Sequence, residues 1–310
     1  MKILKASIPI LVIYTLWGGV GLAVYWAGRQ VPVPADIQGL VFILTALLFI
    51  VFGFCLTTYY LLYGWRRLSG SPGMYAAWVL VSLALTFFLY FVGQHLEIGR
   101  SMIFIINTAN LFVFANLIGA LIVKPLKRAA ELIILCVVLA FSDLFSVLSG
   151  PTRVIVKSVK AYYESGMQGP APAGDFFLIK TPAFGAEVLQ PVFGVSDWII
   201  IVFLSAAAFK FGINDNLAGK GLSVMARERR MVFYLPVAGI GLLLAAAAAH
   251  LLNVFIPVLP VMAVVYISYL LIFHPSARQL KKTDWWLMGG FAGGMLCLLA
   301  LGLVMTGQAG

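Results

Sequence analysis

The sequence predicts an all-α, polytopic transmembrane helical bundle of about nine spans, and three observations carry that prediction. Hydrophobic residues make up 62% of the 310-residue chain and charged residues only 10%, with a mean hydropathy of +1.03; a soluble globular chain carries roughly 25% charged residues. The apolar residues fall in unbroken runs of about 20, the length that crosses a hydrocarbon core of about 30 Å as a helix. The runs also lack the apolar–polar alternation of lipid-facing barrel strands. Without water to bond free backbone groups in the bilayer, helices are the remaining solution.

In chain order the runs lie near 6–27, 38–64, 74–93, 102–123, 129–149, 191–210, 231–255, 257–273 and 284–305. Lys2 and Lys5 precede a first run that is longer than a signal-peptide core and lacks a small-residue cleavage pattern, so it reads as a retained span. The seventh and eighth runs meet around Asn253 to Pro257 with almost no linker. Residues 1–128 form an N-terminal four-helix membrane half. Residues 129–310 form a second half, which contains the one long connection, 150–190. Inside that connection Arg153 to Glu164 reads as a short surface helix, and Phe176 to Lys180 as a short strand ended by Thr181-Pro182.

A net charge of +10 raises the question of nucleic acid, but the basic residues sit in short loops beside apolar runs and read as topology signals. The N-terminus and the loops holding Arg66/Arg67, Lys124/Lys127/Arg128, Lys210 to Arg230 and Arg278/Lys281/Lys282 collect about 15 of the 21, against about 6 on the other face. This places the N-terminus in the cytoplasm, and the 150–190 loop and the C-terminus outside. The lack of a targeting sequence fits a prokaryotic inner membrane. Cys55, Cys136 and Cys297 each fall inside a run with neither disulfide nor zinc spacing, and read as inert thiols.

Chemistry concentrates on two of the 11 acidic residues, Asp143 and Asp197, because these lie inside apolar runs. A carboxylate near the centre of a membrane helix costs roughly 2.5–3.5 kcal/mol and normally faces protein or water at a functional site; the competing reading is a structural hydrogen bond between helices. Ser142 flanks Asp143, and Ser142, Ser146 and Ser149 share one helix face beside it. Asp197 follows Gly194-Val195-Ser196 near one end of its run, and the glycine permits close backbone approach. With the fifth span running outward and the sixth inward, the two carboxylates meet at one depth. Repulsion and desolvation then leave one protonated and the other ionised. Such a pair activates water with the base, protonates the amide with the acid, and hydrolyses a peptide without a metal or a covalent intermediate. Phe255-Ile256-Pro257-Val258-Leu259-Pro260, ahead of the eighth span, predicts a rigid extended segment, since its prolines remove backbone donors.

In this order the three elements resemble the motifs of the intramembrane aspartyl proteases, the presenilin and signal peptide peptidase family: Tyr-Asp, Gly-x-Gly-Asp and Pro-Ala-Leu. The stretch Leu139 to Leu148 followed by Gly150-Pro151 resembles the first catalytic helix, Gly194 to Asp197 the second motif and Pro257 to Pro260 the third. Ser142, Ser196 and Val258 stand where the family has Tyr, Gly and Ala. The resemblance covers roughly residues 130–273. It implies Asp143 and Asp197 as the catalytic pair, Gly194, Ser196, Pro257, Val258 and Leu259 as site-shaping residues, no cofactor, and transmembrane helices or remnant signal peptides as substrates. Leu178, in the predicted strand, marks an edge to which an extended substrate adds by backbone hydrogen bonds.

Two other functions stand beside this one. A proton- or ion-coupled transporter also uses membrane carboxylates, with Asn107, Asn110, Asn116, His250 and Asn253 as further polar candidates, although paired broken helices are not evident. A catalytically silent relative would bind membrane helices without cutting them.

Overall fold

The computed structural model describes residues 2–95, 100–148, 150–167, 169–186, 188–252 and 256–307. The chain is almost wholly helical. Helix α1 covers Lys2–Gln30; α2 covers Ala35–Tyr59 and continues through a π-helical turn, Tyr60–Trp65, into α3, Arg66–Ser69. Then follow α4 (Pro72–His95), α5 (Arg100–Ile122), α6 (Glu131–Leu148) and α7 (Pro151–Glu164). Strands β1 (Leu178–Thr181) and β2 (Gln190–Gly194) lead into α8 (Val195–Phe211), α9 (Leu222–Glu228), α10 (Val237–Leu252), α11 (Val258–Phe273) and α12 (Lys282–Gly307). Among the described residues, five helices are long and apolar enough to cross a membrane: Ser7–Gln30, Gln38–Ser69, Pro72–His95, Arg100–Ile122 and Glu131–Leu148. Helices Val237–Ala249 and Val258–Phe273 are apolar but shorter.

The packing has the polarity of a membrane protein. On α4, Leu80, Phe87, Phe88 and Phe91 are exposed while Ser82 and Thr86 are buried. The buried pair meets Asn110 of α5: Ser82 Oγ donates to Asn110 Oδ1 at 2.8 Å, and Asn110 Nδ2 donates to Thr86 Oγ1 at 2.8 Å. Polar groups that would be unsatisfied in lipid are thereby turned inward and paired. Helices α5 and α8 form the centre, and they approach closely because position 119 is glycine. A Cβ there would lie 2.6 Å from the Ile199 carbonyl oxygen and 2.9 Å from the Phe203 nitrogen.

Contacts sort the helix ends into two groups. At one end, Lys210 Nζ donates to the carbonyls of Val123, Lys124 and Leu126, Arg128 pairs with Asp284 at 3.1 Å, and Tyr269 bonds to Asn214. At the other, the 150–190 segment covers the helix ends: Gly185 N–H donates to Gly28, Gln38 to Gly185, and Gln94 to Ala171. The predicted surface helix is α7. Buried beside it, Lys180 pairs with Asp175, which also accepts a hydrogen bond from Tyr163 at 2.9 Å, and the Lys180 ammonium lies 3.3 Å from the centre of the Phe104 ring. Burial lowers the Lys180 ammonium to about 8 against the opposing pull of Asp175.

Several boundaries differ from the sequence reading. The run at 191–210 opens as strand β2, so its helix starts only at Val195; residues 231–236 are not helical, and α10 starts at Val237. The predicted strand begins at Leu178, because Ala173–Phe177 form a 3-10 turn. Of the segment expected to be extended, only Ile256 and Pro257 are non-helical, and Val258 to Pro260 form the first turn of α11. Proline is tolerated there because first-turn N–H groups have no helical partner. Asn253 and Phe255 lie outside the described residues.

Candidate active site

Strand β2 delivers the chain to the start of α8. Gly194 is the N-cap, in extended conformation (φ −76°, ψ 152°), and Asp197 is the third helical residue. Its Oδ2 accepts the Gly194 N–H at 3.0 Å, so the carboxylate answers one of the orphan donors at the helix start and lies at the positive end of the helix dipole. Asp197 is half-buried and Ser196 exposed. The next residue anchors the turn: Trp198 is fully buried, with its ring stacked on Phe54 and Phe193 at 5.3 and 5.2 Å, and its Nε1 donates to Thr57 at 3.2 Å. Glycine at 53 makes room for it, since a Cβ there would lie 2.7 Å from the ring.

Asp143 reaches the same place from α6. It is half-buried, and the backbone N–H of Leu259 lies near its carboxylate. Leu259 is the second residue of α11, and Pro260 after it has no N–H to offer, so Asp143 lies near one of the few donors left in that first turn. Asp143 lies within electrostatic reach of Asp197. Helix α11 packs against both α6 and α8, whereas α6 otherwise lies on α12 and shares no extended seam with α8. The start of α11 sits against Asp143 of α6, and the middle of α11 meets α8, where the Tyr266 hydroxyl donates to the Leu204 carbonyl at 3.3 Å. Two helix N-termini, those of α8 and α11, direct partial positive charge at the carboxylates, which favours one negative charge in a low-dielectric setting.

Helix α11 has 16 residues, about 24 Å at 1.5 Å per residue, short of a hydrocarbon core of about 30 Å. Leu259, at the start of α11, lies beside Asp143, five residues before the end of α6, and so at the depth of the carboxylates.

The structure gathers Asp143, Asp197, Gly194 and Leu259 directly, with Pro257 and Val258 half-buried at the start of α11. Leu178 joins them through the sheet, where it pairs with Gly194 in an antiparallel register. The free strand edge is not on β1, however. One side of β1 pairs with β2, and on α5 Thr108 Oγ1 accepts the Lys180 N–H at 3.3 Å. Among the described residues no strand covers the outer edge of β2. The serine stripe is only partly a feature of the site: Ser146 Oγ bonds to Thr152 Oγ1 at the α6–α7 corner, and Ser149 lies outside the described residues.

The amide groups of the asparagines donate to structural partners, while Asn107 Oδ1 and Asn116 Oδ1 are buried without one among the described residues. Asn107 donates to the Phe176 carbonyl at 2.7 Å, Asn116 to Phe112 at 2.8 Å, and Asn110 to Ser82 and Thr86. The side chain of His250 lies outside what is described. The cavities include one of about 330 Å³ lined by Trp65, Arg66, Ser69, Phe209 and Lys210, and one of about 230 Å³ at the loop end lined by Arg100, Tyr162, Tyr163, Asp175 and Lys180 among others. Neither includes the aspartates, which lie along a helix interface.

Little in the sequence signals another buried carboxylate, Asp215. It is fully buried beyond α8, and the Tyr234 hydroxyl bonds to both of its oxygens at 2.8 Å. Burial pushes it up to about 7, against the opposing effect of the tyrosine. Its only sequence signal is the polar triplet Asn214-Asp215-Asn216 between apolar segments. Searches of protein-family models, curated proteins and solved structures return no match to this chain.

Proposed function

We propose that the chain is an intramembrane aspartyl endopeptidase that hydrolyses peptide bonds in or near transmembrane segments or remnant signal peptides, with Asp143 and Asp197 as a water-activating pair. One observation carries this reading: carboxylates 54 positions apart in sequence come within electrostatic reach of each other, at the start of the helix that begins with the third sequence element. A helix cap needs one carboxylate per helix end. Two that repel each other at one place, each also near a backbone N–H, match the requirement for one acid and one base. The protonated member would donate to the scissile carbonyl while the ionised member takes a proton from water; on collapse the acid–base roles exchange and the amine leaves.

In this reading the chain makes nine crossings, with α10 and α11 as a short hairpin, the N-terminus in the cytoplasm and the 150–190 segment outside a prokaryotic inner membrane. Substrates are then helices with a cytoplasmic N-terminus. An unwound substrate adds to the outer edge of β2, which runs directly into Gly194. Reporter fusions within 150–190 test the orientation, and cytoplasmic reporter activity would reverse it. Leu178→Pro breaks the β1–β2 register and is expected to abolish cleavage while folded protein remains.

The direct test is cleavage of a panel of signal-peptide-like membrane helices by the purified chain in liposomes. Loss in both Asp143→Ala and Asp197→Ala supports the dyad, and no cleavage by the unaltered chain returns the weight to a transporter or a silent helix-binding protein.

A further inference from the structure

We infer that the cavity at the basic end of the bundle, between the end of the long Gln38–Ser69 helix and the end of α8, binds the phosphate group of an anionic phospholipid. The cavity of about 330 Å³ is lined by Trp65, Arg66, Ser69, Phe209 and Lys210, none of them acidic. Two of its lining residues carry an unexplained polar atom: Trp65 Nε1 and Ser69 Oγ are buried and have no hydrogen-bond partner among the described residues. Buried donors are normally satisfied, and two orphans on one cavity call for an acceptor that enters it.

The charges specify an anion. The Arg66 guanidinium lies 5.1 Å from the centre of the Phe209 ring and forms no ion pair among the described residues. Lys210 spends its three donors on the carbonyls of Val123, Lys124 and Leu126, and so contributes charge without a free N–H. The π-helical turn Tyr60–Trp65 widens the helix immediately before Arg66, so the residues after it leave the regular stripe. Position selects a lipid as the source of the phosphate. The cavity sits where a membrane-length helix ends, at headgroup depth, where an interfacial Trp and paired cations mark lipid sites.

Native mass spectrometry of the full chain released from neutral detergent, with phosphatidylglycerol or phosphatidylcholine added, tests the site. The expected result is preferential retention of phosphatidylglycerol, reduced about fivefold by Arg66→Gln, reduced also by Trp65→Phe and Ser69→Ala, and unchanged by Arg67→Gln, which lies outside the cavity. Displacement of the lipid by millimolar inorganic phosphate supports recognition through the phosphate. Equal retention of both lipids, equal loss in Arg67→Gln, or binding of inorganic phosphate with none of phosphatidylglycerol would overturn the proposal. Melting temperatures screen each variant for folding; if Trp65→Phe unfolds, Ser69→Ala removes the neighbouring donor with less disturbance.

Discussion

Gly53→Ala tests how the site is held, because it lies on α2, far from either carboxylate in sequence. The added Cβ would lie 2.7 and 2.8 Å from two atoms of the Trp198 ring and 3.2 Å from Phe112. Trp198 cannot swing aside, being stacked on Phe54 and Phe193 and hydrogen-bonded to Thr57. Relief must come from a shift of α2 or of the first turn of α8. Overpacking of this kind costs about 1–3 kcal/mol, and loss of the indole hydrogen bond adds about 1 kcal/mol. The residue before Trp198 is Asp197, so a displacement of the turn moves the carboxylate, and about 1 Å of misplacement can cost about 100-fold in rate. Thermal unfolding in detergent should show a drop of several degrees, and cleavage in liposomes should fall far more than that drop explains. Trp198→Phe in the same chain vacates the space, so the double variant should be less damaged than the sum of the two. Unchanged melting and cleavage in Gly53→Ala, or strictly additive costs in the double variant, would refute the reasoning.

Other predictions concern buried charge. The folded chain holds the Asp215 proton up to about 7, while the unfolded chain releases it near 3.8, so stability should fall as pH rises through that window. Asp215→Asn removes this term and should stabilise by on the order of 1–3 kcal/mol at pH 8, with little change at pH 4; equal melting shifts at both pH values would contradict it. Lys180→Met leaves the fully buried Asp175 with a hydrogen bond from Tyr163 but no cation, a loss of about 3–5 kcal/mol. Adding Asp175→Asn should recover much of that in a denaturation series, and no recovery would mean that the lysine acts by packing alone.

The long helices were legible because a lipid-facing surface leaves unbroken apolar runs, and Asp143 and Asp197 were legible because each interrupts one. What escaped depends on tertiary depth. Gln190 to Gly194 is apolar enough to read as the start of a span, yet pairing with Leu178 to Thr181 makes it a strand. Asp175 and Asp215 fall between apolar runs and Lys180 at the end of the predicted strand, where nothing local signals burial, but the 150–190 segment and Tyr234 fold over them. The prolines at 257 and 260 signalled a break without revealing that α11 would start there and bring the Leu259 N–H near Asp143. That contact depends on how α11 packs against α6, which no local pattern encodes.

The central claim is that the aspartates are an acid–base pair and not merely helix caps, and Asp→Asn separates the two roles. Asparagine can accept the N–H of Leu259 or Gly194 and caps well, but it can neither take nor give the proton. Cleavage of a signal-peptide-like helix in liposomes by Asp143→Asn and Asp197→Asn, with melting temperatures measured alongside, is therefore the most direct measurement. Both variants should stay folded with cleavage reduced at least about 100-fold in each; a folded variant of either kind that still cleaves like the unaltered chain would leave the aspartates as helix caps only.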